Sequence, residues 1–307
     1  ELATVTSDTP PDSSRRQVST RPLVGRRPSV RVLGARNNLA RVIAHVLLVG
    51  FSIITGGAFL WVVLNSFKTS SEIVQVPPTF WPVEPTLSNY EVVFARLNFG
   101  RYLFNSMFVG VAVTLLTLFT SSLVGYVFAK YRFWAKEQLF LIILGTLMIP
   151  FAVVMLPLYL LMGTIGWSNT YQALIIPVSV SSFGIFLMRQ FIEEVPIELI
   201  ESARMDGASE WRIYGRIVLP LARPGLAALG IFAFLFTWDS FLWPLVVIND
   251  QDLWTLPLAL HGLNSERGTR FDLITAGSVV AVVPMIVVYL VFQRQFIRGI
   301  STTGLKG

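Results

Sequence analysis

Between Glu198 and Pro220 the chain reads ELIESARMDGASEWRIYGRIVLP, where charged and small residues crowd together in a sequence that is otherwise mostly apolar. Pro196 suits the first turn of a helix, and Glu198 and Glu201 suit its positive end. Leu199, Ile200 and Ala203 then form a modest apolar stripe at helical spacing. Gly207 fits the helix C-terminus, where a left-handed residue is needed. A second helix follows with Trp211, Tyr214 and Val218 on one face, ended by Leu219-Pro220. The chemistry of such a helix–turn–helix, spanning about residues 193–222, is docking rather than catalysis. Ser202, Ala203, Gly207 and Ala208 keep one side thin enough to enter a partner's groove. The same pattern also fits an amphipathic linker resting on lipid headgroups. A chain tethered to membrane at both ends leaves no room to wrap a DNA duplex, so nucleic acid is not an expected partner.

Other reactive chemistry is sparse. There are no cysteines, hence no disulfides or thiolate metal site. His45 and His261 are too far apart in sequence to suggest a His-based metal centre. No Gly-x4-Gly-Lys-Ser/Thr occurs, so the chain carries no P-loop. Within the apolar runs, Asp239 in TWDSFLWPL is the clear carboxylate, near mid-membrane, where an unpaired charge costs about 2.5–3.5 kcal/mol on insertion scales. It must face the interior, a partner or water. Asn105 reads as a pore-lining group or an interhelical hydrogen bond. A proton-coupled secondary transporter would need several such groups, a channel would need a filter or charged rings, and an enzyme would need a nucleophile–base or metal constellation. An ion-coupled secondary transporter or channel subunit is the competing class.

The elements that position these residues are membrane spans. The composition is 53% hydrophobic and 14% charged, against about 25% charged in soluble domains. Apolar runs long enough to cross a bilayer fall at roughly 42–66, 104–129, 139–163, 171–192, 224–248 and 271–293, which predicts an all-α polytopic membrane protein with six transmembrane helices. Pro150, Pro157, Pro177, Pro244 and Pro284 predict bends in the last four. Residues 1–40, rich in Ser, Thr, Pro and Arg, read as a disordered tail; residues 41–307 form the six-span domain. The first apolar run is too long for a signal-peptide core. Of 24 Lys and Arg residues, all but Lys68, Arg96, Arg101, Arg267 and Arg270 fall on one side. The positive-inside rule therefore puts both termini and the 193–222 loop in the cytoplasm. Outside, Pro77, Pro78, Pro82 and Pro85 break up the loop at 67–103. Ser88 and Glu91 then stand at capping-box spacing ahead of Val92, Val93 and Leu97.

The loop resembles a known signature. Binding-protein-dependent ABC importer permeases carry Glu-Ala-Ala, three residues, Gly, nine residues, then Ile-x-Leu-Pro. Here the residues are Glu201-Ser202-Ala203, Gly207, and Ile217-Val218-Leu219-Pro220 at the same spacings, with Ser202 for Ala the one departure. VPIELIESARMDGAS, LNSFKTSSEI and FQRQFIRGISTTGLKG are similar to the carbohydrate, maltose-type branch, and the resemblance covers about residues 42–307. It implies the type I ABC importer permease fold with a cytoplasmic coupling helix, in a prokaryotic inner or plasma membrane. The implied function is a non-enzymatic subunit that moves a sugar, oligosaccharide or polyol derivative inward. Implied partners are a second permease subunit, two ATPase subunits and an extracytoplasmic solute-binding protein, besides membrane lipid. ATP and Mg would be bound by the ATPases and no cofactor by this chain. By the same resemblance Glu201 would pair with a basic group of the ATPase, Ser202 and Ala203 would permit close approach, and Asp206 belongs to the same coupling loop. Gly207 would turn the chain, Ile217, Leu219 and Pro220 would fix the loop to the membrane core, and Gly299 to Gly307 would reach toward the ATPases. Trp238, Phe241 and Trp243 offer aromatic faces suited to a sugar ring, with Asp239 and Asn105 on the same possible path. Helix packing or lipid-interface anchoring is the competing reading of those aromatics.

Overall fold

A computed structural model describes residues 36–265 and 268–303, which include side-chain detail for most positions. The expected tail lies almost wholly outside the described residues. Helix α1 runs Arg36–Asn65; its part up to Ile54 forms one unit and Thr55 onward belongs to the second. All that follows concerns the second unit.

Two short helices, α2 (Ser70–Ile73) and α3 (Ser88–Arg96), interrupt the loop after α1. The anticipated Ser88 cap does not form, because Ser88 is already helical and its own N–H donates to Thr86 Oγ1 at 3.1 Å. Helix α4 (Phe99–Lys130) is an unbroken span of 32 residues, about 48 Å at 1.5 Å per residue. The third expected span is two helices, α5 (Lys136–Thr146) and α6 (Phe151–Thr164), bent by 95°. Pro150 stands at the break with extended backbone angles; it lacks the N–H that would continue the ladder and pushes its predecessor out of helix. Pro157, by contrast, stays inside α6. The fourth span splits around Pro177 into α7 (Tyr171–Ile175) and α8 (Ser182–Glu193), and Ser181 caps α8 by accepting from the Gly184 N–H.

Past Glu193 lie α9 (Ile197–Met205), α10 (Glu210–Ile213), a π turn (Tyr214–Val218) and α11 (Leu219–Leu221). Leu219-Pro220 does not end the second helix as its sequence suggests. The wider π turn lets the Leu219 N–H reach Tyr214 O, so the helical path absorbs the proline and breaks instead at Ala222, with an 81° bend into α12 (Arg223–Trp238). Helix α13 (Leu242–Val247) completes the fifth expected span after a break at 239–241. A 3₁₀ turn (Gln251–Leu253), α14 (Leu256–His261) and a small antiparallel hairpin, Asn264–Ser265 with Gly268–Thr269, lead to α15 (Phe271–Thr303), where Pro284 leaves the helix continuous.

Helix α4 is the hub, packed on α8 and α12. Its contact with α8 is close at small residues: Ser121 meets Gly184, and Gly125 meets the backbone of Met188 and Arg189. Small residues let membrane helices approach closely without a hydrophobic drive between them. A Cβ on Gly125 would stand 2.9 Å from the Arg189 backbone nitrogen. Gly125→Leu should therefore force the helices apart at a cost of about 1–3 kcal/mol, seen as a lower unfolding midpoint in detergent. Gly100→Leu, at a position with open space around it, should leave the midpoint unchanged.

The two ends of α4 hold different loops. At its C-terminal end Lys130 Nζ donates to the carbonyls of Glu193 (3.1 Å) and Val195 (2.6 Å), tying in the segment that leads to α9. At its N-terminal end Arg101 and Asn105 bind the 252–254 turn, and α3 packs nearby against α15. Loops 131–135 and 193–222 thus share one end of the bundle, and loops 67–98 and 248–263 the other.

Candidate functional site

The 193–222 loop is built as a short helix clamped on one face and bare on the other. Pro196 enters α9 with extended backbone. Ile200 is fully buried among Met188, Ile192, Val195, Ile213, Val218 and Tyr126, with Ala203 packed on the same cluster. Leu199, placed in the same stripe by its spacing, instead lies exposed. Glu198, Glu201, Ser202 and Met205 recur at helical spacing and are all exposed, Met205 at 84%. Carboxylates and an unpartnered methionine on one face make a surface suited to a protein groove with basic rims.

Gly207 ends α9 with φ +77°. Its N–H donates to Arg204 O at 3.0 Å and the Ala208 N–H to Ala203 O at 2.9 Å, the paired bonds of a Schellman turn. Asp206 is the exposed residue before it. Ile217 and Leu219 are half-buried against the cluster that holds Ile200, and Pro220 lies half-buried beside them.

A four-residue network that sequence reasoning missed braces this loop. Across the turn, Arg204 Nε donates to Glu210 Oε1 at 2.7 Å and Nη2 to Oε2 at 3.3 Å. The same carboxylate accepts from the hydroxyls of Tyr131 and, at 3.1 Å, Tyr126, both at the end of α4. The Arg204 guanidinium lies 5.5 Å from the centre of the Tyr131 ring. Tyr126 packs on Tyr214, whose hydroxyl lies 2.7 Å from Ser122 Oγ. Arg204 first, then the tyrosine hydroxyls, holds the Glu210 carboxyl down at about 2, and burial raises the Tyr131 phenol. Only an Arg and a Glu six residues apart across a glycine hinted at the pair; the tyrosines lie some 80 residues upstream.

The residues proposed for a solute path separate. Trp238 is buried, its Nε1 donating to Ala281 O at 3.2 Å, and Trp243 is buried with Nε1 on Ala173 O at 2.9 Å. Both serve helix packing. Phe241 is half-buried against the His261 ring at 4.9 Å. Asp239 is exposed at the C-terminus of α12, sixteen residues from its start and so about 24 Å along the helix. The helix break beside it borders a small pocket lined by Phe236, Thr237, Ser240, Trp243 and Thr255. Asn105 is fully buried, donating to Asp252 O and Trp254 O at 2.9 Å each and accepting from Tyr171 at 2.6 Å. It latches the 252–254 turn to the bundle. Among the described residues no cluster of His, Asp and Glu is arranged to hold a metal.

A family model described as "Binding-protein-dependent transport system inner membrane component" matches residues 121–301, from the small-residue seam of α4 through the loop and on into α15. The chain belongs to this family. As an inner membrane component of that kind it resembles the arabinooligosaccharides transport system permease protein of Halalkalibacterium halodurans, 38% identical over 87% of this chain and 98% of the relative. It also resembles the lactose transport system permease protein of Rhizobium radiobacter, 33% identical over 86% and 96%. A solved bacterial ABC transporter involved in import of the acidic polysaccharide alginate superposes with a TM-score of 0.76 at 24% identity, over 85% of this chain and 97% of that one. The family's transmembrane component and its helical fold are therefore the frame in which the braced loop and the two-ended bundle sit.

Proposed function

We propose that this chain is one of a pair of permease subunits in an ATP-driven importer of a carbohydrate-class solute, with the 193–222 loop as its docking site for a separate ATPase. The observation that carries this reading is the bare face of α9, with Glu198, Glu201, Ser202 and Met205 exposed on a helix whose opposite face is anchored through Ile200. Glu201 pairs with a basic group of the ATPase, Ser202 and Ala203 allow close approach, and Gly207 with Asp206 forms the turn behind them. Ile217, Leu219 and Pro220 carry movement of the loop into α12. A rigid-body rotation of the spans follows closure of the ATPase dimer, and ATP with its Mg ion stays on the ATPase.

Sugar import is supported by relatives named for arabinooligosaccharides and lactose, and a further one for diacetylchitobiose at 33% identity. A relative named for sn-glycerol-3-phosphate at 32% identity supports polyol phosphates as a second solute class. An extracytoplasmic binding protein delivers the solute, and both termini lie in the cytoplasm with the loop. In the assembled complex, a benzophenone on Met205→Cys should cross-link to the ATPase subunit. Solute uptake driven by an ion gradient, with no ATPase bound and no cross-link, would sink this reading in favour of a secondary transporter or channel subunit.

A further inference from the structure

The segment after α1 is folded inside out for a water-facing loop. Its two charged residues before Glu84, Lys68 and Glu72, are buried, Lys68 to 1% exposure. Lys68 Nζ donates to Thr79 O at 2.5 Å and stands 4.7 Å above the Trp61 ring. Glu72 accepts from Thr79 Oγ1 and from the Val83 N–H, both at 2.9 Å. These bonds pull residues 74–83 back onto the end of α1. Asn89, bound to the carbonyls of Ser66 and Lys68 at 2.9 and 2.8 Å, locks the turn from the other side. What faces outward is mostly apolar: Val76 at 90% exposure, Val83 at 70% and Trp81 at 65%, with Gln75 the exposed polar side chain among them and Glu84 at its edge. A run of ring contacts, Trp61 to Phe80 and Phe80 to Trp81 at 5.5 Å each, joins this face to the last turns of the span.

We infer that residues 74–83 form a seat in the lipid interface, with Val76, Trp81 and Val83 inserted at the headgroup boundary. The apolar run long enough to cross a bilayer ends at Asn65, so a segment bonded within a few residues of it lies beside the end of that run. Tryptophan is enriched at this level because its ring is amphipathic, and an apolar face sinks about 5–10 Å into the boundary. A protein partner's binding surface would carry a polar rim with charges to pair; no charged residue lies between Ile73 and Val83. The seat fixes the vertical position of the first span, independently of the loop at the other end of α4.

The chain has no cysteines, so Val83→Cys or Val76→Cys can carry a single environment-sensitive fluorophore without disturbing the core. The probe is read in the assembled transporter, in nanodiscs of phosphatidylethanolamine and phosphatidylglycerol. A spin-labelled lipid quencher near the headgroup should cost at least about twice the fluorescence lost to one deep in the acyl chains, at both positions. Quenching by aqueous iodide without lipid quenching overturns the seat, as does protection from both, which would assign the face to a protein neighbour. ATPase docking at α9 is untouched by either result, so the two readings fail separately.

Discussion

A Gly207→Pro variant should reach the membrane in normal amount but lose solute-stimulated ATP hydrolysis by more than about tenfold, the equivalent of some 1.4 kcal/mol of coupling. Proline fixes φ near −65°, whereas the chain here turns at φ +77°. It also removes the N–H that donates to Arg204 O. Both bonds of the turn go with it, because Ala208 can no longer fold back on Ala203. The bare face of α9 is then released from the half of the loop that leads into α12. Gly207→Ala is the graded control. A Cβ there meets nothing within 4 Å, so its cost is the left-handed backbone alone, about 1–2 kcal/mol, and coupling should fall only in part. Full coupling in the proline variant would show that the turn transmits nothing. Loss of the protein from the membrane would mean instead that it is needed for folding, and the alanine variant separates the two.

Glu210→Ala should reduce solute-stimulated hydrolysis severalfold, while uncoupled ATPase activity and the amount of complex stay near wild type. One carboxylate joins Arg204 on α9 to Tyr126 and Tyr131 at the end of α4, so its removal loosens the polar side of the turn while the apolar cluster around Ile200 and Tyr126 stays closed. The pair is partly exposed and its stability contribution is correspondingly small; its value is in fixing geometry. Arg204→Ala should produce much the same loss, and the double variant little more, because contacting residues in one network are not additive. Amide exchange over 197–218 should accelerate in each. A Glu210→Ala complex with unchanged coupling and unchanged exchange would show that Ile200 alone positions the helix. The brace is insensitive to mild acid: a carboxyl whose folded pKa is depressed to about 2 gives its full stabilisation above the unfolded value near 4.5 and loses it progressively as pH falls from there through about 2. Coupling should therefore not fall on acidification to pH values near 5 through this group.

Much of the architecture is legible in the sequence because it follows from short-range rules. Long apolar runs need a bilayer or a core, Pro150 and Pro177 stop helices where they stand, and Gly207 marks a left-handed turn by its residue type alone. The reading fails where a local rule meets a local alternative. Pro220 reads as a helix break, yet a π turn one step earlier carries the path past it. Ser88 reads as a cap, yet Thr86 supplies the oxygen its N–H needs.

Residue type and spacing by themselves determined the class of protein, the helix breaks at Pro150 and Pro177, and the placing of a polar helix–turn–helix at 193–222. Pro157, Pro244 and Pro284, by contrast, stay inside helices, and the bend at Ala222 was not legible. The tertiary structure alone decided which side chains that loop presents and which it spends on anchoring. It turned Trp238 and Trp243 into packing groups, made Asn105 a latch on the 252–254 turn, and gathered Tyr126, Tyr131, Arg204 and Glu210 into a brace. Those partners lie between six and 149 residues apart. Helical periodicity assigns a face to each side chain, but which face meets which neighbour depends on how α4, α8 and α12 pack, and that is set by the small-residue seam at Ser121, Gly125 and Gly184.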